Sequence, residues 1–481
     1  MKKYLLLTLI FVLCFTACSS DKKVAADENF IKAAIKGDKA AVEKIIKRKV
    51  DVNYQDDKGF TALMVASLNA HKEIVDMLLS AKADLNIKQK DGATALMAAA
   101  QVGRQEIVDI LLKAKANPDI QGKDGATALI LAAQNGHREI VNMLLSAKAN
   151  LNLQANSGYT ALIFAAQNGH KEIVDMLLRA KANPDIQAND AWTALMIAIL
   201  KGHKEIADML LKAGADTNTQ SKEGVTALIL AAQNGHKDTV DILLKAKANP
   251  NIQTDGYTAL MFAVQENQKE IVNMLLKIGA DPNIRGDNGT AALMIATQKG
   301  HKEIIDMLLK AKANPDIKYK GWTALMFAAQ KDHKEIIDML LKAETNPNIQ
   351  DKKGITALMF ATVDGHKEIV NMLLKAKANP NTQQKDGITA LMMATLDGHK
   401  ETVRILLKAK ANTNIQRGND GATALMAAVQ YAHKEIVDML LKAGANPNIR
   451  ANNGVTALTL AENKGHKEIA DMLRAASKNY K

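Results

Sequence analysis

The tripeptide Thr-Ala-Leu recurs along this chain with its leucine at positions 63, 96, 129, 162, 195, 228, 260, 293, 325, 358, 391, 425 and 458, Ala291 replacing the threonine once. The steps are 33 residues except for two of 32 and one of 34. A degenerate earlier copy aligns Phe30 with Leu63 and Gly37 with Ala70. Fourteen units therefore occupy residues 28–481 and leave no room for a second domain. A period of this length makes each unit one supersecondary element. Such an element cannot bury its apolar face alone, so stability becomes a sum over units and the interfaces between them.

Within a unit such as "GYTALIFAAQNGHKEIVDMLLRAKANP", which starts at Gly158, the pattern predicts two short helices. Thr160 as N-cap offers its side-chain oxygen to the amides of the first turn. Ala161–Asn168 then form the first helix, and Gly169 breaks it. With Gly169 as N-cap of the second helix, Glu172 falls at the third helical position, where a carboxylate reaches back to the cap. Ile173, Val174, Leu177 and Leu178 make one apolar stripe. Lysines gather at the far end, as in "LLKAKAN", which suits the negative end of the helix dipole. Helices of eight to ten residues are marginal alone in water, so they depend on stacking.

Apolar residues make up 47% of the chain but aromatics only 4%, so Ala, Leu and Met must build the core. The 21 methionines agree: nine follow the Thr-Ala-Leu leucine and ten precede the leucines of the second helix (paired in all but the unit of Met472), a fixed phase that reads as core filling on both helices. All eight prolines share one phase just past the second helix, where proline stops a helix and stiffens the loop. The three irregular steps fall in that same loop, in "NIQTDGYT", "DIKYKGWT" and "NIQRGNDGAT". Length changes collect in exposed loops, which supports the unit boundaries.

The elements "DGxTAL", "AAQNGH", "EIVxxLL" and "GADxN" (the last in "AGADTN", 213–218) resemble the ankyrin repeat over nearly the whole chain. The resemblance implies an all-α fold: an α-solenoid of about fourteen stacked 33-residue helix-turn-helix repeats, with turn "fingers" projecting on one side beside a concave face. Two features depart from the family. Its usual Thr-Pro-Leu-His reads Thr-Ala-Leu followed by Met, Ile or Thr, which removes a familiar turn-stabilising histidine. Lysine also replaces the glycine that ankyrins place in left-handed conformation after the second helix. Lys181 and Lys377 stand where Gly214 and Gly444 do, at a cost of roughly 1 kcal/mol if the conformation is kept.

All eleven histidines, from His71 to His466, sit at one point of the unit, immediately before Lys or Arg. Metal ligands must converge on an ion at about 2.0–2.1 Å each. Equivalent positions in stacked helices lie about 8–10 Å apart, so adjacent imidazoles form a spaced ladder and cannot share a metal. Arg104 and Gln268 take the same place in two units, which suits a turn-packing hydrogen bonder and no metal ligand or catalytic base. No nucleophile elbow, phosphate loop, zinc helix or complete calcium loop is present. The chain reads as a non-enzymatic protein with no cofactor and no metal.

The first residues, "MKKYLLLTLIFVLCFTAC", place two lysines before an apolar run too short to span a membrane and suited to a secretory signal. The run ends in Ala17-Cys18 and resembles a bacterial lipoprotein signal, which implies lipid on Cys18; Phe15 stands where that motif usually has an aliphatic residue. Simple cleavage after Ala17 is the alternative. Cys14 and Cys18 are the only cysteines, so the body forms no disulfide. The domain reading is a signal peptide at 1–17, a lipidated cysteine and polar tether at 18–27, and the repeat domain at 28–481. That domain has an N-terminal capping repeat at 28–53, twelve internal repeats at 54–450 and a C-terminal capping repeat at 451–481.

Formal net charge is +12, and loss of Lys2 and Lys3 with the leader takes it to +10. The basic residues recur evenly among Glu and Asp without aromatic stacking platforms, which argues against a nucleic-acid partner. The residue before the Thr-Ala-Leu threonine varies between units and includes both tryptophans. Exposed Trp and Tyr are typical binding anchors, which singles out Phe60, Tyr159, Trp192, Tyr257 and Trp322. The ankyrin resemblance implies that this finger position and the end of the first helix touch the partner, which adds Lys201, Lys299 and Lys331. The alternative is that the rings pack against a neighbouring finger. The expectation is a monomeric scaffold for an unknown protein partner, exported and lipid-anchored to a bacterial envelope membrane. A second reading is a structural protein whose lysine-rich helix face lies on anionic membrane surface.

Overall fold

The computed structural model describes residues 22–479. The leader with Cys18 and the last two residues lie outside them. The described residues form twenty-eight helices in chain order, α1 to α28, two per unit, from α1 (Lys22–Lys36) to α28 (Lys467–Asn479). This is the all-α helix-pair solenoid expected from the repeat. The chain divides into two compact units, one up to Lys222 with α1 to α12 and one from Glu223 with α13 to α28. Because α1 begins at Lys22, the last residues of the stretch read as a tether are already helical; their Lys and Ala content favours it.

In the fifth unit, α9 (Ala161–Asn168) starts where the threonine pattern places it. The Ile163 amide donates to Thr160 Oγ1 at 3.2 Å, which satisfies one of the free first-turn donors. Ala161, Leu162, Ile163, Ala165 and Ala166 are buried. Within each compact unit, first helices pack on the first helices before and after them and on their own second helix. Small Ala165 and Ala166 permit that close approach. Full burial of a side chain such as Leu162 stabilises by about 1.5–3 kcal/mol, and every internal unit repeats it.

Two details differ from the sequence reading. The second helix α10 spans Lys171–Arg179 and its N-cap is His170, not Gly169. Gly169 instead ends α9 in left-handed conformation (φ 77°), its amide bonded to the Ala165 carbonyl. Glu172 consequently sits one position nearer the helix start, and no side chain caps α10. The methionine pattern also splits. Those after the Thr-Ala-Leu leucine are buried, whereas those on second helices, such as Met77 and Met176, are only half-buried. The second helix offers its partners Ile173, Val174 and Leu177 and leaves the preceding methionine at the rim.

The lysines in glycine's place keep the left-handed conformation: φ is 71° at Lys181 and 65° at Lys377, against 89° at Gly214 and 90° at Gly444. At the finger, the shortened loops close as tight hairpins. Gln253–Thr254 (β1) pairs antiparallel with Tyr257–Thr258 (β2) around Asp255 and Gly256, both at positive φ. Tyr319 and Trp322 bridge in the same way around Lys320 and Gly321. Two consecutive positive-φ residues are the signature of the two-residue hairpin turn that matches strand twist, so losing one residue converts the finger tip into that turn.

Polar ladders tie neighbouring units along the loops. The Asn150 amide donates to Asp119 Oδ1 (2.7 Å), Asn183 to Asn152 Oδ1 (3.0 Å) and Asn379 to Asn348 Oδ1 (2.7 Å). Gln154 Nε2 donates both to the Gly158 carbonyl of its own finger and to the Gln187 carbonyl of the next.

Candidate protein-interaction surface

Each finger ring singled out in the sequence precedes an N-cap threonine, and three of them, Tyr159, Tyr257 and Trp322, fold back on a phenylalanine of the first helix. Tyr159 lies 5.1 Å from Phe164 and Tyr257 lies 5.5 Å from Phe262, centroid to centroid. Trp322 lies 4.9 Å from Phe327 of its own unit and 4.2 Å from Phe360 of the next. Tilted rings at these distances add about 0.5–1.5 kcal/mol per pair beyond burial. Phe60, Tyr159, Trp192, Tyr257 and Trp322 are all half-buried, so each keeps part of its ring in solvent. Burial pushes the Tyr159 hydroxyl above the usual phenol range, with the Asp190 carboxylate adding to it.

The three lysines lie at the opposite ends of first helices and are exposed. Lys201 caps α11 (Ala194–Leu200), Lys299 ends α17 (Ala292–Lys299), and Lys331 caps α19 (Ala324–Gln330). Trp322, Phe327 and Lys331 thus share one helix and its entry, with Phe360 of the next unit against the ring. The other candidates are spread over separate units and no single site gathers them.

A feature the sequence reading passed over lies at the long finger "NIQRGNDGAT". A cleft of about 380 Å³ has Arg417, Asp420, Gln430 and Tyr431 at its polar side and Met392 and Leu396 among its apolar lining. Arg417 Nε bonds Asp420 Oδ1 at 2.7 Å. This contact holds the Asp420 carboxyl below the usual carboxylate range. Tyr431 is 56% exposed, an unusual state for a large ring. The signal was available: the only 34-residue step in the chain, and an aromatic residue at a helix-end position that carries none in the other units.

Five of the eleven histidines form ties between units. His71, His137, His170, His203 and His399 each place Nε2 within 3.0–3.3 Å of a backbone carbonyl 36 residues earlier. Arg104 Nε reaches the equivalent Leu68 carbonyl at 3.0 Å and Gln268 Nε2 the Gln233 carbonyl at 3.5 Å. The shared requirement is an N–H donor, which explains why three chemically different residues fill the position. The glycine of the preceding unit makes room: a Cβ on Gly136 would stand 2.8 Å from the His170 ring. Where Asn267 replaces that glycine, His301 Nε2 has no protein partner. His433 Nε2 also lacks one, and its ring is stacked on Tyr431 at 6.1 Å. Among the described residues no group of three or more His, Cys, Asp or Glu is placed to hold a metal.

The family model "Ankyrin repeats (3 copies)" matches the sequence in ten overlapping segments that run from 14–89 to 409–481. The chain belongs to the ankyrin repeat family. No curated protein matches the sequence. Ankyrin repeat proteins are generally non-enzymatic scaffolds for protein–protein interaction. In this ankyrin chain the lysine-rich second helices are largely neutralised. Lys113, Lys212, Lys245, Lys310, Lys342 and Lys442 each bond an aspartate four residues earlier at 2.6 Å. Others pair between units, as Lys39 does with Glu73 (2.7 Å) and Lys400 with Glu435 (3.2 Å). No helix among the described residues is long and apolar enough to cross a membrane.

Proposed function

We propose that the chain is a protein-binding scaffold tethered to a bacterial envelope membrane by lipid on Cys18, with the repeats facing the periplasm or the exterior. Its partner is gripped by the fingers and the ends of the first helices. The observation that carries this reading is the half-buried Trp322–Phe327–Phe360 cluster with exposed Lys331 at the far end of the same helix. Aromatic residues are enriched at interface cores and tryptophan at hot spots, and interface rims are polar. The ion pairing of the second helices speaks against the lysine-rich face as a general membrane-binding surface.

Affinity capture from native envelope compares the full chain with a Lys299→Glu, Lys331→Glu variant. Both lysines are exposed helix-end residues, so folding is expected to be unchanged. The reading requires loss of a captured protein with the variant; equal capture refutes the assignment of these residues. For the tether, Cys18→Ala is expected to abolish lipid labelling and release the protein from membranes. Retention of that variant through high-salt washing overturns the anchor.

A further inference from the structure

The aspartate–lysine pairing of the second helices fails at two adjacent helices. In α20 (Lys334–Lys342) and α26 (Lys434–Lys442) the lysine of the last turn is held by Asp338 or Asp438. In α22 (Lys367–Lys375), which lies between them, the aspartate is replaced by Asn371, and in α24 (Lys400–Lys408) by Arg404. Lys375 and Lys408 have no carboxylate partner among the described residues, and Arg404 has only Glu401 of its own helix, at 3.5 Å. The left-handed positions that follow carry two more exposed cations, Lys377 and Lys410, whereas the units on either side have Glu344 and Gly444 there. Lys277 also faces an asparagine, Asn273, but its neighbours Lys245 and Lys310 are both paired.

Two of these cations, Lys375 and Lys408, line a groove between α22 and α24 of about 570 Å³, together with Asn371, Leu374, Ile405 and Ala409. Its one acidic lining residue, Glu368, reaches Lys334 at 3.5 Å. The corresponding groove between α2 (Lys39–Lys47) and α4 (Lys72–Ser80) is lined instead by Glu43, Asp76 and a Lys47 already paired with Glu43 at 2.7 Å. The scaffold therefore provides the same furrow in different places, and its charge is set by one residue per helix.

We propose that the α22–α24 groove binds an acidic peptide segment carrying an apolar side chain, at a site separate from the fingers. Charge complementarity selects the acid. The half-buried Leu374 and Ile405 give the floor on which an apolar side chain rests. That the two adjacent helices lacking the last-turn pairing share one groove argues for a narrow segment over a lipid surface, since the second helices on either side have their last-turn lysines neutralised.

The test uses the full chain and a fluorescein-labelled peptide of acidic residues around one leucine, read by fluorescence anisotropy. Asn371→Asp with Arg404→Asp installs the pairing that Asp338–Lys342 already shows, so the fold is retained, which circular dichroism checks. Saturable binding that weakens at least about tenfold in this variant and also between about 50 and about 300 mM salt is the expected result. Asp306→Asn with Asp338→Arg, transferring the pattern to α18 (Lys302–Lys310) and α20, is expected to add a second equivalent of bound peptide. No saturable binding, or binding indifferent to the paired-aspartate variant, overturns the proposal. So does binding to phosphatidylglycerol vesicles that the variant abolishes while the peptide stays unbound, which would make lipid the occupant. Finger-dependent capture is unaffected by any of these variants.

Discussion

His170 Nε2 stands 3.2 Å from the carbonyl oxygen of Gln134, the residue three before the histidine of the preceding unit. The bond ties the start of one second helix to the end of the previous first helix, and it needs only an N–H donor. His170→Gln is therefore expected to cost less than about 1 kcal/mol, and His170→Ala about 1–2 kcal/mol by leaving the carbonyl without that donor. Urea unfolding of the two variants checks the order. Stoichiometric micromolar zinc uptake by the body of the protein would contradict this role.

Asn267 and Lys181 hold left-handed conformations at φ 55° and 71°. Lys181→Gly is expected to raise stability by about 0.5–1 kcal/mol. Asn267→Gly should gain about the same and also free space for the His301 ring, whose Nε2 lacks a protein partner. An Asn267→Gly, His301→Ala double variant separates the two parts: a gain that survives it belongs to the backbone alone.

Trp322 touches two phenylalanines, whereas Trp192 has no aromatic partner among the described residues. Trp322→Ala should cost about 2 kcal/mol, roughly half of what truncating a fully buried Trp costs. Trp192→Ala should cost less than about 1 kcal/mol. Thermal unfolding of the two single variants tests the difference, and equal midpoints would remove the distinction.

Asp316 accepts the Asn346 amide at 3.1 Å, in a position filled by Asn283 and Asn348 in adjacent units. Burial pushes its carboxyl above the ordinary value, the Asn346 bond opposing the shift. A raised carboxyl favours its protonated form in the folded state, so this group's ionisation removes stability as pH rises out of the usual carboxylate range. Asp316→Asn is expected to be slightly more stable than the natural chain at neutral pH. The advantage should vanish as the solution is acidified below that range. A difference that persists unchanged in acid would assign it to something other than charge.

The repeat register, the helix pairs, the threonine caps and the structural role of the histidines were legible because each recurs in phase, which averages away local noise. The N-cap was misplaced by one residue because Gly169 and His170 both suit a helix boundary, and only the left-handed φ of the glycine decides between them. The half-buried methionines were misread since a helical stripe does not say how far its edge is covered. The surface was least legible. Trp322 and Trp192 occupy the same phase, yet their surroundings depend on residues 5 and 38 positions ahead of Trp322, Phe327 and Phe360. The cleft beside Tyr431 and the cation groove arise where the pattern is broken, at Arg417, Asn371 and Arg404, and a reading built on sameness passes over them.

The ladder bonds and histidine ties span some 30–36 residues, so each joins one unit to its immediate predecessor. A chain emerging amino terminus first, from a ribosome or from a translocation channel, finds every partner for the newest segment already in place behind it. Assembly can keep pace with delivery, and the length of unprotected polypeptide at any moment need not exceed about one unit.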